Sequence, residues 1–247
     1  MAHKIGSIAW ANETGGTLSF SNKLSLIGDI IRAQISLMLN KKSPGKPFDI
    51  DSIRIPDSAL AKQATELCED VSSSALYLHC VRTYYWGNIL AQQDNIPFDE
   101  ELFYVIAILH DIALTPTYHL QDDHANCFAV EGAKVAHEFC SSHGWNEQKA
   151  SQVNEAISLH LNIDVSVGEG SEAHLLRAGS GLDVIGMRRW KIAKQTRNTV
   201  LERFPRDGFV EELDKTLTKE LRQRPQSRTK FLYQFAQFGK RMKNAGL

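Results

Sequence analysis

Three short clusters in this 247-residue chain carry side chains able to hold a cation or move a proton: LYLHCVRTYYWG at 76–87, AILHDIALTP at 107–116 and LLRAGSGLDVIG at 175–186. His110 and Asp111 are adjacent, and neighbours on a helix project about 100° apart, so they do not share a face as an i,i+4 pair does. At the C-terminal end of a buried apolar helix both can still turn toward one small ion. An ion also removes the difficulty of burying Asp111, because a carboxylate taken out of water needs a charged or hydrogen-bonded partner. Alone, the pair has a plainer meaning, a helix end with a surface carboxylate, and that meaning wins. The other clusters change the balance. His79 stands among Leu76, Leu78, Cys80 and Val81, where an imidazole needs a partner, and Arg82 lies one turn on along the same side. Asp183 interrupts an otherwise uncharged stretch. Two imidazoles and two carboxylates, His79, His110, Asp111 and Asp183, make a mixed N/O set suited to zinc, iron or manganese. Such a site leaves one or two positions open for water and substrate.

The elements that must position these residues read as helices. Leu24, Ile27, Ile31, Ile35 and Leu39 repeat at three- and four-residue spacing, predicting an amphipathic helix over about 20–40 behind a polar, glycine-ended lead-in at 1–16. Three prolines and a glycine make 41–57 a long loop. Ser72 precedes a helix through His79 to about Gln93, and Asp99 followed by Glu100 and Glu101 starts the next. LFYVIAIL at 102–109 reads as a strand in isolation; its start signal and its length through Ile112 favour a buried helix that ends before Pro116. Further helices fit about 126–143, 147–161, 172–181, 190–203, 208–222 and 228–243. The expected fold is all-α: one domain over 1–247, with a metal-binding core at 70–190, N-terminal helices at 20–69 and C-terminal helices at 190–247 packed on the core. Phe231, Leu232, Phe235 and Phe238 are expected on one buried face, so the eight Lys/Arg of 219–247 read as its solvated side rather than a phosphate-facing patch.

The order His, His-Asp, Asp across about a hundred helical residues resembles the HD-domain superfamily of metal-dependent hydrolases, with His79, His110-Asp111 and Asp183 as the matching residues. The LxHxxR, LHDI and GxxLDVxG contexts are more specific than the bare dipeptide. Within the superfamily the chain is most similar to the cyanamide hydratase-like branch, through His79 with Arg82, CFAVEGAKVA at 127–136, the Ala156–His160 segment, Asp183-Val-x-Gly and FPRDGF at 204–209. The resemblance implies one divalent metal ion held by His79, His110, Asp111 and Asp183, with zinc expected and iron or manganese as alternatives. It implies addition of water to a cyanamide- or nitrile-like C–N compound, with His160 or Thr115 handling the proton and Arg82 close by. The other reading of His160 is a satisfied core histidine.

One departure bears on the chemistry. Many HD phosphohydrolases carry a lysine three residues after the aspartate; here Leu114 stands there, followed by Thr115. A leucine cannot neutralise a phosphoryl group, which favours a neutral substrate unless Arg82, Lys134 or Arg177 reaches in. A phosphohydrolase acting on a nucleotide or phosphomonoester is the first alternative, and a regulatory protein with a purely structural metal is the second. His137 and His160 leave room for a second metal, whereas His119, His124 and His143 read as loop or helix-end residues. Glu131 reads as a solvated carboxylate in preference to a general base, Trp86, Tyr84 and Tyr85 as core in preference to pocket lining, and Asp122 and Asp123 as loop residues.

Bulk properties set the outer bounds. With 43% hydrophobic and 23% charged residues and a net charge of −1, the chain has an ordinary globular composition, and its overall field points to neither nucleic acid nor a membrane surface. The four cysteines show no CxxC spacing and read as buried thiols in a reducing compartment. No run reaches the roughly 18 apolar residues of a membrane span, and the N-terminal stretch has no apolar leader. The expectation is a cytoplasmic enzyme with a small-molecule substrate, no nucleic-acid or membrane partner, and a possible homo-oligomer.

Overall fold

The computed structural model describes residues 3–39, 44–122 and 124–247. Positions 40–43 at the head of the expected loop, Asp123 and the side chain of Leu39 lie outside that description. Among the described residues the secondary structure is helical throughout, as the periodicity predicts. The element that organises the rest is α4 (Ser74–Asp94), capped by Ser73 rather than Ser72 and closed by Asn95 in the left-handed region. It is buried on nearly every side from His79 to Ala91. Against it lie α3 (Ala59–Val71), α5 (Glu100–Leu109) and α8 (Ser171–Ile185), while α6 (Phe128–Ser142) and α7 (Glu147–Leu159) pair with each other, both packing on α5 and α7 also on α8. Trp86, Tyr84, Phe103, Ile106 and Leu109 fill the space between them. The aromatic residues of α4 are therefore core, as expected.

Two close approaches set the central packing. A Cβ on Gly179 of α8 would lie 2.4 Å from the Thr83 carbonyl oxygen of α4, and one on Gly87 would lie 2.2 Å from the Phe103 ring. These glycines let α8 and α5 sit against α4 closely enough for side chains from the three helices to meet.

The terminal segments share a second hydrophobic cluster with the core. Ile5, Trp10, Leu18 and Leu26 meet Leu114, Phe128, Val184, Phe209, Leu213 and Phe231. Trp10 belongs to α1 (Ile8–Thr14), a helix inside the stretch read as a polar, glycine-ended lead-in; Ser7 caps it and Gly15 closes it at φ 61°. Seven residues are too few for periodicity to announce a helix. The second helix, α2 (Phe20–Leu39), is where predicted but does not bury its predicted stripe. Among its described side chains Leu26 is the fully buried one, while Leu24 is 54% and Ile31 and Ile35 are each 50% exposed.

The C-terminal part comprises α9 (Lys194–Arg203), α10 (Phe209–Gln223), α11 (Arg228–Phe235) and α12 (Phe238–Lys243). The single helix expected over 228–243 breaks at Ala236–Gln237, where Gln237 takes φ 51°. The break separates the proposed aromatic face: Phe231 and Leu232 are buried, but Phe235 is exposed. No helix among the described residues is long and apolar enough to cross a membrane.

Candidate metal centre

His79 is delivered from the middle of α4, and His110 and Asp111 from the end of α5. The predicted continuation of α5 through Ile112 does not occur. The helix stops at Leu109, Asp111 adopts φ −107° and ψ 14°, and a short 3-10 turn follows at Ile112–Leu114. This change of winding answers the geometric objection to an adjacent pair, because Asp111 no longer continues the 100° progression. His79 Nε2 lies 3.3 Å from His110 Nε2, and Asp111 Oδ2 lies 3.5 Å and 3.4 Å from these two nitrogens. The three buried residues present donor atoms within 4.8 Å of one another.

The tautomers follow from the partners on the other side of each ring. His110 Nδ1 donates to the Ala107 carbonyl at 2.8 Å, and His79 Nδ1 donates to Asp183 Oδ2 at 2.8 Å. Both Nε2 atoms are therefore bare lone pairs, facing one another and a carboxylate inside the protein. Without a cation, or a proton in its place, that arrangement is repulsive; with a cation, all three are ligands. His79, His110 and Asp111 thus fit a divalent ion of the borderline kind.

His160 repeats the device of His110. It caps α7, and its Nδ1 donates to the Ile157 carbonyl three residues back at 2.6 Å, a group that also accepts the His160 backbone N–H. Its bare Nε2 lies 3.7 Å from Asp111 Oδ1, and its ring packs edge-on to His110.

Asp183 is placed differently from the expectation of a fourth ligand. Its Oδ2 accepts from His79 Nδ1 and from Arg82 Nη2 at 2.9 Å; its Oδ1 accepts from Arg82 Nε at 2.8 Å and from Trp86 Nε1 at 2.9 Å. Four donors occupy the lone pairs a carboxylate offers, so Asp183 sits behind His79 and not beside the converging atoms. Arg82 is correspondingly not exposed to a reacting group: beyond Asp183 it donates to the Pro205 carbonyl at 2.7 Å. Arg206 Nη2 donates to the Asp183 carbonyl at 2.6 Å, and Phe209 stacks on His79 with ring centroids 4.7 Å apart. The FPRDGF segment is therefore a brace for Asp183 and His79. Sequence reasoning marked that segment only by resemblance and missed what Arg206 and Phe209 do.

Thr115 is also corrected. Its hydroxyl donates to the Ile112 carbonyl at 2.7 Å, which closes the 3-10 turn, and it does not line the cavity that holds the triad. Glu131 is neither solvated nor a base: it accepts the backbone N–H groups of Leu120, Gln121 and Asp122 and pairs with Arg224. Of the other histidines, His119 pairs with Glu220, His137 with Glu147, and His124 is exposed. His137 thus does not join His160 in a second cluster.

Burial and charge act in opposite directions on the titrating groups. Burial pulls His160 down to about 3, so its imidazole is neutral. It also lowers His110. Burial alone would raise Asp111 and Asp183, but His110 and His79 around the first, and Arg82 and His79 around the second, hold both well below the carboxylate range. His79 is depressed by burial, yet its contacts with Asp111 and Asp183 outweigh that and hold it above its ordinary value.

The triad opens into a cavity of about 1770 Å3. Leu26, Leu114, Phe128, Val184 and Leu213 are among its walls, together with His160 and Asn162.

Residues 76–184 match the family model of the HD domain, and this part of the chain is an HD domain. The match contains His79, His110, Asp111, His160 and Asp183. No curated protein matches the chain.

Proposed function

We propose that this chain is a metal-dependent hydrolase or hydratase acting on a neutral C–N group, cyanamide- or nitrile-like. The observation that carries the reading is the set of bare Nε2 and carboxylate lone pairs of His79, His110 and Asp111, buried at one wall of a cavity. A divalent ion held there supplies a water activated near pH 7 and a positive charge to compensate the anion developing on the substrate. The protein's own groups divide the remaining work. Asp183, held by Arg82 and Trp86, fixes the tautomer of His79. His160, neutral and with Nε2 bare, accepts a proton from the attacking water and delivers it to the substrate nitrogen.

The cations that phosphate chemistry would need are spoken for near the triad. Arg82 is committed to Asp183, and Lys134 is paired with Asp122 at 2.6 Å. Phosphomonoester hydrolysis remains the competing reading, favoured by the basic side chains Arg177 and Arg188 elsewhere on the cavity wall. The resemblance of the His79-x-x-Arg82 and Asp183-Val-x-Gly contexts to the cyanamide hydratase-like branch supports the C–N reading. Zinc is the expected ion, and the four buried free thiols suit a reducing, cytoplasmic setting. The test is elemental analysis of purified protein alongside assays for urea from cyanamide, ammonia or amide from nitriles, and phosphate from a generic phosphomonoester. Near-stoichiometric metal with turnover of a C–N compound supports the proposal. Metal with phosphate release alone transfers the site to the competing reading, and absence of metal binding after incubation with zinc, iron or manganese removes both.

A further inference from the structure

The cavity that contains the triad has a second polar region, built on the outer part of α8 and the turn that follows it. His174, Arg177 and Arg188 all line it. Arg177 Nε donates to the Asn162 carbonyl at 3.0 Å, its Nη2 to the Ile163 carbonyl, and its Nη1 to Met187 Sδ at 2.8 Å. Those partners fix the guanidinium without neutralising it. Arg188 Nη1 donates to His174 Nε2 at 3.4 Å, while His174 Nδ1 donates to the Val165 carbonyl at 2.6 Å. The imidazole is therefore neutral and oriented by its backbone bond.

Among the described residues neither arginine has a carboxylate within 4.0 Å. Lys191 on the same wall contrasts with them, because Asp94 satisfies it at 2.6 Å. The exposed Asp164, which also lines the cavity, attracts Arg177 from beyond salt-bridge range. A third guanidinium lies just behind: fully buried Arg228 donates to Asn162 Oδ1 at 2.6 Å, again with no carboxylate beside it. Burial and the charge of Arg188 together pull Arg177 down to about 10, so placing these cations side by side is costly. Buried charge is retained where something pairs with it, and planar guanidinium groups match the oxygens of carboxylates and phosphates.

We propose that Arg177 and Arg188, steadied by His174, form an oxyanion subsite within the triad's cavity that receives a carboxylate or phosphate group of the substrate. Arg177 precedes Asp183 by six residues on α8, about 9 Å along the axis. The subsite therefore holds a remote group while the neutral reacting group lies at the triad. This rests on the proposed function and narrows it: the substrate is a C–N compound carrying an anionic end, larger than cyanamide itself.

The experiment is calorimetric titration of the purified full chain with inorganic phosphate and, separately, butyrate, using wild type, Arg188→Gln, Lys191→Gln and Asp111→Ala, each checked for folding by circular dichroism. Wild type should bind at least one of the two anions, the preferred one identifying the oxyanion. Arg188→Gln should weaken binding by about tenfold or more, as loss of a charged hydrogen bond does. Lys191→Gln should leave binding unchanged, and Asp111→Ala, which removes the metal, should retain it. Unaltered binding in Arg188→Gln, or binding lost in Asp111→Ala but kept in Arg188→Gln, would overturn the subsite; so would absence of binding of either anion to wild type. Metal content measured on the same samples separates a failed subsite from a failed metal centre.

Discussion

The carboxylate of Asp183 and the imidazole of His79 meet at 2.8 Å, Oδ2 to Nδ1, and this bond turns the opposite nitrogen of His79 toward His110 and Asp111. The first and last helices of the HD domain, α4 and α8, are thereby joined at the point where a ligand atom is aimed. Asp183 acts on the ion through His79, which makes its replacement milder than that of a ligand. Asp183→Asn should lower metal affinity by about 10–100-fold, while Asp111→Ala should abolish stoichiometric metal. Competition with a chelator of known affinity measures both. If Asp183→Asn lost metal as completely as Asp111→Ala, the carboxylate would have to be counted as a ligand.

Arg82 is the partner that makes a fully buried Asp183 tolerable. Replacing it with methionine preserves much of the side-chain volume but leaves the carboxylate with His79, Trp86 and the more distant Arg206, whose Nε lies 3.9 Å from Oδ1. Both members of the pair are fully buried, so Arg82→Met should destabilise the protein by about 3–5 kcal/mol, the range for orphaning a buried charge. Urea unfolding of metal-free protein gives the figure without a contribution from the ion. A loss under about 1 kcal/mol would show that Arg82 is not what stabilises Asp183.

How much of this was legible beforehand differs by residue. His79 and His110-Asp111 stood out because polar groups in apolar helical stretches need partners, a constraint that is local in sequence. Asp183 also stood out, but its position behind His79 depends on Arg82, Trp86 and Arg206 arriving from α4 and from the turn before α10, which no spacing rule reports. Thr115, expected to handle a proton, instead donates its hydroxyl to the Ile112 carbonyl of the 3-10 turn, a local partner that no spacing rule announces. The outward stripe of α2 failed because periodicity identifies an apolar face and does not say which neighbour covers it. His174 and Arg188 meet only because Gly186, at φ 67°, ends α8 and turns the chain back.

His160 gives the protein a pH response with a definite sign. Its ordinary value of 6.5 falls to about 3 in the folded state because burial opposes its charged form. Between those two values the unfolded chain binds a proton that the folded chain refuses. The stability from this group is fully present above pH 6.5 and declines as the pH falls toward 3, by about 1.4 kcal/mol per pH unit. His160→Gln should remove that component, so urea unfolding at pH 6, 5 and 4.5 should show a shallower decline than wild type. Equal slopes would mean that His160 is protonated in the folded protein. In activity assays the wild-type acid limb above pH 4 should accordingly owe nothing to His160.

Gly179 tests whether the approach of α4 and α8 is what aligns Asp183 with His79. A methyl group there would stand 2.4 Å from the Thr83 carbonyl oxygen and 3.1 Å from the Gly87 nitrogen. Both contacts are backbone atoms of α4, so no side chain can rotate away and the two helices must separate. His79 and Asp183 each lie one turn from the contact, and their 2.8 Å bond is the first interaction stretched. Gly179→Ala should therefore cost about 1–3 kcal/mol in unfolding free energy, as overpacking does, and should also weaken metal binding although it touches no ligand. Gly144 supplies the control, because a Cβ there meets nothing within 4 Å. Its φ of 96° strains any replacement, so Gly144→Ala should lower stability while leaving metal affinity intact. A Gly179→Ala protein that lost stability but kept wild-type metal affinity would show that the triad holds its geometry independently of the helix spacing.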